Sequence, residues 1–415
     1  MPLHIPIRST LLLAACLTAC GKASRDAAGT SDSAGVTLVR NPAREASDSG
    51  PWTLVEGLRI SGDSGAGELR FGRLSGLVLD PAGNIYSMDA DRRVVLKFSP
   101  AGALLRTFAG PGEGPGEIGG GMVFLLAAGN GTIFVVDPAN DRLHSYDSSG
   151  THLADQPIDL PAGSPVEWSI TPDGVVLVQL KPMARDGDST PAAISYIVRL
   201  TPPHDTVVAL PGGSVIDMRG GLSRMKTTLF RAEPTWMVLP TGRIVTGDPV
   251  RFGYREHGDA GAVIRDVSLV SPQLPVTADD QSAARTAVRE YFGKQFASGG
   301  PAPASMIETI LGNISFAEFY PAFSAMRPGP FGTIMVQRFR TIPEMRAGGA
   351  ALTLEAMQGT SSTWEVFSDA GQHLGHVRFP PTFRPLAVRG NAIWGLATDE
   401  MDVQSIVRLD VRERR

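Results

Sequence analysis

Cysteine, long apolar runs and clustered charge are all scarce in this sequence. The 415 residues include two cysteines, both within the first 20 positions, so no disulfide can hold the rest of the chain together. The 38 basic and 42 acidic side chains form no basic run long enough to follow a phosphate backbone, which argues against nucleic acid as a partner. The fold must depend on its core and topology, and the 47 glycines and 32 prolines predict many tight turns.

The first 20 residues have the pattern of an export signal. Arg8 precedes an apolar run, 11–17, that is too short to cross a bilayer as a helix, and small residues follow it directly. The end of this segment, Leu17 to Cys20, resembles the lipobox of bacterial lipoprotein signals, which implies acylation of Cys20 after cleavage. A match ending at Cys16 would leave a very short apolar region, and an ordinary secretory signal with an accidental cysteine is the alternative.

The lipobox resemblance also divides the chain into three parts. Residues 1–19 would be the signal peptide, 20–50 a flexible tether rich in Ser, Gly, Ala and Asp, and 51–415 the folded domain. Position 21 is Gly rather than Asp, which by resemblance to Gram-negative lipoproteins favours the outer membrane. We therefore expect an exported monomer that is anchored to the membrane of the cell envelope through Cys20.

A pattern of strands and turns between Gly76 and Gly119 is repeated along the chain. Short apolar runs alternate there with turn dipeptides such as Asp80-Pro81, which is typical of hairpins. A second copy without gaps lies 48 residues further on. Weaker copies surround four more glycines, Gly174, Gly242, Gly332 and Gly390. Six units predict an all-β, six-bladed β-propeller, because a closed ring leaves few exposed strand edges.

Two segments do not fit the repeat. The alternating segment Trp52 to Ile60 stands alone after the tether, while the last unit lacks one of the four strands of a blade, so we expect this segment to complete it and close the ring. Between units four and five, residues 277–312 have apolar positions at helical spacing and a capping pair, Thr277 and Asp280. This stretch predicts a helical insertion between blades 4 and 5.

The unit resembles the NHL repeat, whose pattern combines a D-P-x-G turn, a D-x-x-N-x-R core and a connector rich in Gly and Pro. Residues 80–86 match the turn, Asp137, Asn140 and Arg142 match the core, and residues 110–118 match the connector. The resemblance implies an NHL-like, six-bladed β-propeller lipoprotein of bacteria. Six-bladed propellers of similar kind include lactonases, esterases and lyases that hold a metal ion at the ring axis.

Two groups of residues are candidates for a role beyond the core. Asp137 and Arg142 are expected to pair across their own hairpin and stiffen it, as opposite charges on adjacent strands do. The divergent stretch 212–257 combines arginines with aromatic residues, which would suit an anionic or sugar-like ligand if they converge at the mouth of the ring. The candidate ligand-binding residues are Arg224, Arg231, Tyr254, Arg255 and, at the end of a repeat strand, Arg338. Solvated loop charge is the alternative interpretation.

No motif for catalysis or for a cofactor stands out. The sequence has no G-x-S-x-G nucleophile elbow, no P-loop and no dinucleotide fingerprint. The seven histidines are scattered, and His373 and His376 would point to opposite faces of a strand, so we predict neither a metal site nor a cofactor. The chain is therefore interpreted as a lipid-anchored propeller that binds a small molecule or a protein. A metal-dependent hydrolase or lyase of the lactonase or esterase type is the alternative.

Overall fold

The structure is a computed structural model that describes residues 29–43, 50–62, 71–219, 226–295, 304–349, 351–354 and 356–414. Cys20 and the expected signal peptide lie outside these residues. Six sheets of four or more strands follow one another along the chain and form the blades of a β-propeller. The first strand of each blade contacts the first strand of the next, and blade 6 contacts blade 1, so the ring is closed. The predicted all-β, six-bladed architecture is confirmed.

Four strands of each blade follow one another from the axis outwards. Blades 1 to 3 consist of Leu74–Leu79, Ile85–Asp89, Val94–Phe98 and Leu104–Phe108; Phe124–Ala127, Ile133–Asp137, Arg142–Tyr146 and His152–Pro157; and Ser164–Ile170, Val176–Lys181, Ile194–Arg199 and Thr206–Pro211. Blades 4 to 6 consist of Thr235–Val238, Ile244–Gly247, Gly253–His257 and Val263–Leu269; Phe323–Pro328, Ile334–Phe339, Thr360–Phe367 and His373–Arg378; and Phe383–Arg389, Ala392–Thr398, Gln404–Glu413 and Trp52–Ser61.

The closing strand of blade 6 comes from the N-terminal part of the chain. Trp52–Ser61 pairs antiparallel with Gln404–Glu413, with Trp52 opposite Glu413 and Ile60 opposite Ile406. Trp52 and Ile60 are buried in the seams on either side of this blade. The predicted closure is therefore confirmed, and it joins the two ends of the folded chain through a ladder of hydrogen bonds.

A second N-terminal element corrects the expected tether. Gly29–Ser33 and Val36–Asn41 form a hairpin, and Val36–Asn41 runs parallel to the outer strand of blade 4, which therefore has six strands. Ala34 and Gly35 in the turn both have positive φ, 52° and 82°, as a two-residue hairpin turn requires. The Asn41 amide donates to the carbonyl oxygens of Ser268 and Gly371 at 3.1 and 3.0 Å, so part of the segment 20–50 is ordered against blades 4 and 5.

The core lies in the seams between blades, because the side chains of a blade point towards its two neighbours. In the seam between blades 1 and 2, for example, Tyr86, Phe108 and Tyr146 stack edge to face or tilted at centroid distances of 5.0 to 6.4 Å. Full burial of side chains of this size contributes roughly 1.5–3 kcal/mol each. Six such seams hold the ring together without a disulfide.

The helical insertion is present where the sequence predicts it. Helix α1 is Ala278–Gln295 and helix α2 is Ala304–Gly312, and Thr277 and Asp280 exchange hydrogen bonds at the start of α1. A third helix, α3, Ile342–Ala347, comes from the connection within blade 5. All three helices share one apolar cluster, to which Ala284, Leu311 and Ile342 contribute. None of the described helices is both long and apolar enough to cross a membrane.

Short elements complete the description. Two parallel strand pairs, Met183–Ala184 with Ile216–Asp217 and Thr227–Leu229 with Ile314–Phe316, tie long connections together. In the described segments, 3-10 turns occupy Asp259–Gly261, Pro330–Gly332 and Ala356–Gln358.

The two faces of the ring differ. Neighbouring strands within a blade are antiparallel, so the turns between first and second strands all lie on one face, which we call the turn face. Connections between blades, and those between second and third strands, lie on the other. Helices α1 and α2 lie in a connection between blades and α3 lies in one between second and third strands, so all three cover this second face, the helix face.

Candidate functional site

A funnel opens around the propeller axis on the turn face. Its volume is about 490 Å³, and residues from the ends of the first strands of all six blades line it. Its walls are mainly apolar, with Leu79, Ala127, Ile170, Val238 and Leu386 among the lining side chains. A mainly apolar cavity of several hundred Å³ with a few polar groups is the usual form of a small-molecule site.

Two arginines line this funnel and differ in how they are bonded. Arg389 donates to the carbonyl oxygens of Asp80, at 2.9 Å, and Pro81, and so fastens blade 6 to blade 1. Arg327 of blade 5 donates from Nη1 to the carbonyl oxygen of its neighbour Met326, at 2.8 Å. Among the described residues, the remaining donors of Arg327 have no partner, so its guanidinium can bind an anionic group in the funnel.

Glu167 is the single acidic side chain on the first strands of the six blades. It follows a β-bulge in blade 3, three residues before Ile170 of the funnel wall, or roughly 10 Å along the strand. Burial raises the pKa of Glu167 above its usual 4.5, and the charge of Arg327 only partly opposes this. Arg327 lies two blades away, so the two charges interact across the axis. In its protonated form, Glu167 is a hydrogen-bond donor.

Two buried donors near Glu167 have no hydrogen-bond partner among the described residues, Gln179 Nε2 and Trp236 Nε1. Gln179 lies directly opposite Glu167 in the ladder of blade 3, so both side chains leave the sheet on the same side. Leu177, two residues before Gln179 and thus on that same side, packs with Trp236 of blade 4. Buried polar groups without a partner are uncommon, and a bound ligand or water molecule usually satisfies them.

Four of the five predicted ligand-binding residues are described, and the structure does not bring these four together. Arg224 lies outside the described residues. Arg231 is exposed and donates to the Gly213 carbonyl at 2.8 Å and to Thr228 Oγ1 at 3.2 Å. Tyr254 and Arg255 are adjacent on one strand and therefore point to opposite faces: Tyr254 is buried between blades 4 and 5, and Arg255 pairs with Asp266 at 3.1 Å.

The aromatic residues of the stretch 212–257 belong to the core. Phe230 packs in the helix cluster, Trp236 lies between blades 3 and 4, and Phe252 lies between blades 4 and 5. The expected basic and aromatic pocket at the mouth is therefore not formed by these residues. Apolar character explains their position better than ligand binding does, because burying an aromatic ring is a large gain in stability.

Arg338 belongs to a buried ionic network at the outer part of blade 5. Its guanidinium pairs with Glu365, which also accepts a hydrogen bond from His373 Nε2 at 2.5 Å. Glu365 is 1% exposed and His373 is 7% exposed. Burial alone would raise the pKa of Glu365, but the His373 hydrogen bond and the Arg338 charge outweigh it and hold the pKa below its usual value. Arg338 thus neutralises a buried carboxylate.

Asp137 and Arg142 are in register on adjacent strands, but they do not form the predicted pair. The buried Asp137 carboxylate accepts from the backbone amides of Gly119, at 2.7 Å, and Ala139, at 3.2 Å. Arg142 donates to the carbonyl oxygen of Glu113 at 2.6 Å. Both side chains therefore hold the connector 110–119 against blade 2. They bond its backbone amide and carbonyl groups, which need partners, instead of bonding each other.

A polar cluster on the outer hairpin of blade 2 was missed in the sequence. Asp155 Oδ1 lies 2.7 Å from His144 Nδ1 and 2.6 Å from His152 Nε2. Burial alone would raise the pKa of Asp155, but its hydrogen bonds with both histidines outweigh it and hold the pKa below the usual value. His144 and Asp155 are directly opposite each other in the hairpin, so pairing the two strands around Gly150 would have revealed them.

Comparisons with known proteins identify the fold and nothing finer. No protein-family model matches the chain, and no curated protein matches it. A protein of Bacteroides fragilis described as exported superposes with TM-score 0.51 at 10% identity, over 91% of this chain and 100% of its own. A member of the DUF4221 family from Bacteroides vulgatus also gives TM-score 0.51 at 10% identity, over 88% and 99%. The chain is thus similar to these proteins in its six-bladed β-propeller fold.

Proposed function

We propose that this chain is an exported, lipid-anchored, NHL-like propeller that binds a small organic anion in its axial funnel. The observation that carries the proposal is the combination of apolar walls with the guanidinium of Arg327, which has spare donors in the funnel. The apolar part of a ligand would lie against the walls and its carboxylate or phosphate would pair with Arg327. In its protonated form, Glu167, further along the axis, would donate a hydrogen bond to a second polar group of the ligand.

Calorimetric titration with carboxylates of increasing apolar size, from acetate through butanoate to hexanoate, tests this proposal. Affinity should rise about fourfold with each added methylene group, which corresponds to about 0.8 kcal/mol. Arg327→Ala should weaken hexanoate binding about tenfold or more, since a charge-assisted hydrogen bond contributes about 1.5–3 kcal/mol. Hexanamide has the same chain without the charge. It should bind the unaltered protein less tightly than hexanoate does, and the two ligands should bind the Arg327→Ala variant with equal affinity.

Arg243→Ala is the matched control, because Arg243 is an exposed arginine that pairs with Glu256 at the outer part of blade 4. This variant should bind hexanoate as the unaltered protein does. Equal affinities in the Arg327→Ala and unaltered proteins would refute the anion site. Failure of every carboxylate to bind at millimolar concentration would refute the funnel as a site for this class of ligand.

The membrane anchor rests on the lipobox resemblance at Cys20, and a palmitate analogue tests it. The unaltered protein and Cys16→Ala should be labelled in cells, and Cys20→Ala should not. Labelling that persists in Cys20→Ala and disappears in Cys16→Ala would show that Cys16 is the lipidated residue. Labelling that is absent from all three proteins would reject the lipid anchor. Fractionation of the same cells would test the expected outer-membrane location.

One observation favours a second candidate, an enzyme of the hydrolase or lyase type: a carboxyl group of raised pKa at the axis, as a general acid requires. The metal-dependent form of that candidate has weaker support, because the six first strands contribute no histidine and no aspartate. Turnover of a lactone or ester that Glu167→Gln abolishes, with hexanoate acting as a competitive inhibitor, would favour the enzyme over the binding protein.

A further inference from the structure

The blade 2 cluster has one atom that its hydrogen bonds leave unexplained. When both imidazoles are neutral, Asp155 Oδ1 accepts from both only if His144 carries its proton on Nδ1 and His152 carries its proton on Nε2. His144 is fully buried, and its Nε2 has no hydrogen-bond partner among the described residues. That nitrogen faces Asp137 Oδ2 at 3.5 Å. In this tautomer a lone pair therefore points at a buried carboxylate, which is unfavourable in a medium of low dielectric constant.

Blade 5 has the same positions with different chemistry. His144 corresponds to Glu365 and His152 to His373, each pair lying eight residues apart and joined by the same hairpin. Asp137 corresponds to Arg338, because each follows its repeat glycine by six residues. In blade 5 the Arg338 guanidinium supplies the positive charge that the Glu365 carboxylate needs. Blade 2 has two carboxylates at its network, Asp137 and Asp155, and no arginine or lysine of the described part of the chain is bonded to either.

We propose that a divalent transition-metal ion of the zinc type supplies that charge, bound by His144 Nδ1, His152 Nε2 and an oxygen of Asp155. These three atoms lie within 4.8 Å of one another. Two imidazoles and a carboxylate are a donor set typical of zinc, which would keep one position for water. Metal on Nδ1 places the His144 proton on Nε2, where Asp137 accepts it. A carboxylate that orients a metal-bound histidine in this way is common in metalloproteins.

The site can open enough to admit an ion. Ligand atoms of a tetrahedral zinc ion stand roughly 3.3 Å apart, as zinc–nitrogen distances of about 2.0–2.1 Å require. The distance from Asp155 Oδ1 to each of the two histidine nitrogens must therefore increase by about 0.6 Å from its hydrogen-bonded value. His152 is 29% exposed and Asp155 is 19% exposed, so both have room to move and the ion can reach them from solvent. His144 lies on the third strand of its blade, so this site is separate from the axis.

Zinc titration of the untagged, full-length chain in detergent, after dialysis against a chelator, tests the proposal. We expect about one zinc ion per chain by elemental analysis and a melting temperature that rises with zinc concentration. His152→Gln and Asp155→Asn should each weaken zinc binding about tenfold or more, as loss of a ligand does. His373→Gln, the equivalent change in blade 5, should bind zinc as tightly as the unaltered chain.

Both stability and binding are measured for each variant, so a folding defect is distinguishable from the loss of a ligand. His152 is partly exposed, and His152→Gln without zinc should melt close to the metal-free unaltered chain. Zinc binding that is absent in the unaltered chain, or unchanged in both His152→Gln and Asp155→Asn, would overturn the proposal. Bound cobalt, substituted for zinc, should show the strong visible absorption of a tetrahedral site, and the absence of that absorption would contradict the proposed geometry.

Discussion

Charge is matched at the outer parts of blades 4 and 5 and unmatched at the axis. In blade 4, Glu256 lies between Arg243 and Arg265 at 2.8 and 2.7 Å, and in blade 5, Glu365 lies between Arg338 and His373. Each of these carboxylates is buried and each has a cationic neighbour across its own hairpin. At the axis, Glu167 has no hydrogen-bond partner and Arg327 has only the carbonyl of Met326, among the described residues.

This difference separates what holds the fold from what is available to a ligand. A buried polar group without a partner costs about 1–3 kcal/mol. The outer hairpins of blades 4 and 5 avoid that cost through networks of ion pairs and hydrogen bonds within one blade. The axial groups have no such partner, although Gln179 and Trp236 lie in the adjoining seam with spare donors. Unmatched groups at a cavity are those that a ligand can satisfy, which is why the axis is the better candidate site.

The largest effect is expected from Arg338→Ala. This change leaves the buried Glu365 carboxylate without its guanidinium. The Arg338 side chain is itself 51% exposed, so solvent screens part of the interaction and the free energy of unfolding should fall by about 2–4 kcal/mol. Urea denaturation at neutral pH measures it. The folded-state pKa of Glu365 lies below 4.5, so the stabilisation is present above pH 4.5 and is lost as the pH falls through the folded pKa. The two proteins should therefore differ less in acid.

A smaller loss is expected from Asp89→Ala in blade 1. The fully buried Asp89 carboxylate accepts from the backbone amides of Gly72, at 2.9 Å, and Arg92, at 3.1 Å, and its removal leaves both unpaired. The free energy of unfolding should fall by about 1–3 kcal/mol in urea denaturation. Asp91→Ala is the control, because Asp91 is exposed and binds the Arg73 amide in contact with solvent. A change at Asp91 equal to that at Asp89 would contradict the role of burial.

Arg327→Ala is the axial counterpart of the change at Arg338. Arg327 has no ion-pair partner among the described residues, so its removal should lower the free energy of unfolding by less than about 1 kcal/mol. A loss at Arg327 as large as that at Arg338 would break the comparison, since it would show that the axial charge is also structural.

The fold was predictable because its signal is periodic and local. Turn glycines such as Gly83 and Gly131 have positive φ, 86° and 89°, so their spacing marks each blade in the sequence itself. The fourth strand of blade 6 could be predicted because the last repeat unit has one strand fewer than the four of a blade. The capped start of α1 could be predicted from Thr277 and Asp280. The N-terminal hairpin was missed because its first strand is fully exposed and carries no apolar pattern to distinguish it from a tether.

The site was less predictable because it depends on side chains from different blades. Tyr254 and Arg255 look alike as candidates in the sequence, yet the alternation of a strand buries one and exposes the other. Glu167 had a signal, since it is the one charged residue within the first strand of blade 3. That strand, however, could not be recognised as axial before the ring was assembled. Asp137 and Arg142 were opposite each other as expected, but the connector 110–119 lies closer to both.

A gain in stability is expected from Glu167→Gln. Burial favours the protonated form of Glu167, so its raised pKa stabilises the fold fully below pH 4.5, and this contribution is lost as the pH rises through the folded-state pKa. Glutamine has the same shape and cannot ionise. The variant should therefore be more stable than the unaltered protein at pH 8, and the two should converge near pH 4. Glu256→Gln, at a matched carboxylate, should lose stability instead, and a loss at Glu167 would remove the axial carboxyl from the functional site.

The smallest effect tests whether charges at the outer hairpins act on each other or on the backbone. Asp137→Ala, Arg142→Ala and the double variant form a thermodynamic cycle measured by urea denaturation. Each single change should lower the free energy of unfolding, but the coupling between them should stay below about 0.5 kcal/mol, because each side chain bonds the connector and not the other. The Arg338 and Glu365 cycle should give a clearly larger coupling. A coupling of about 1 kcal/mol or more between Asp137 and Arg142 would restore the direct ion pair expected from their register.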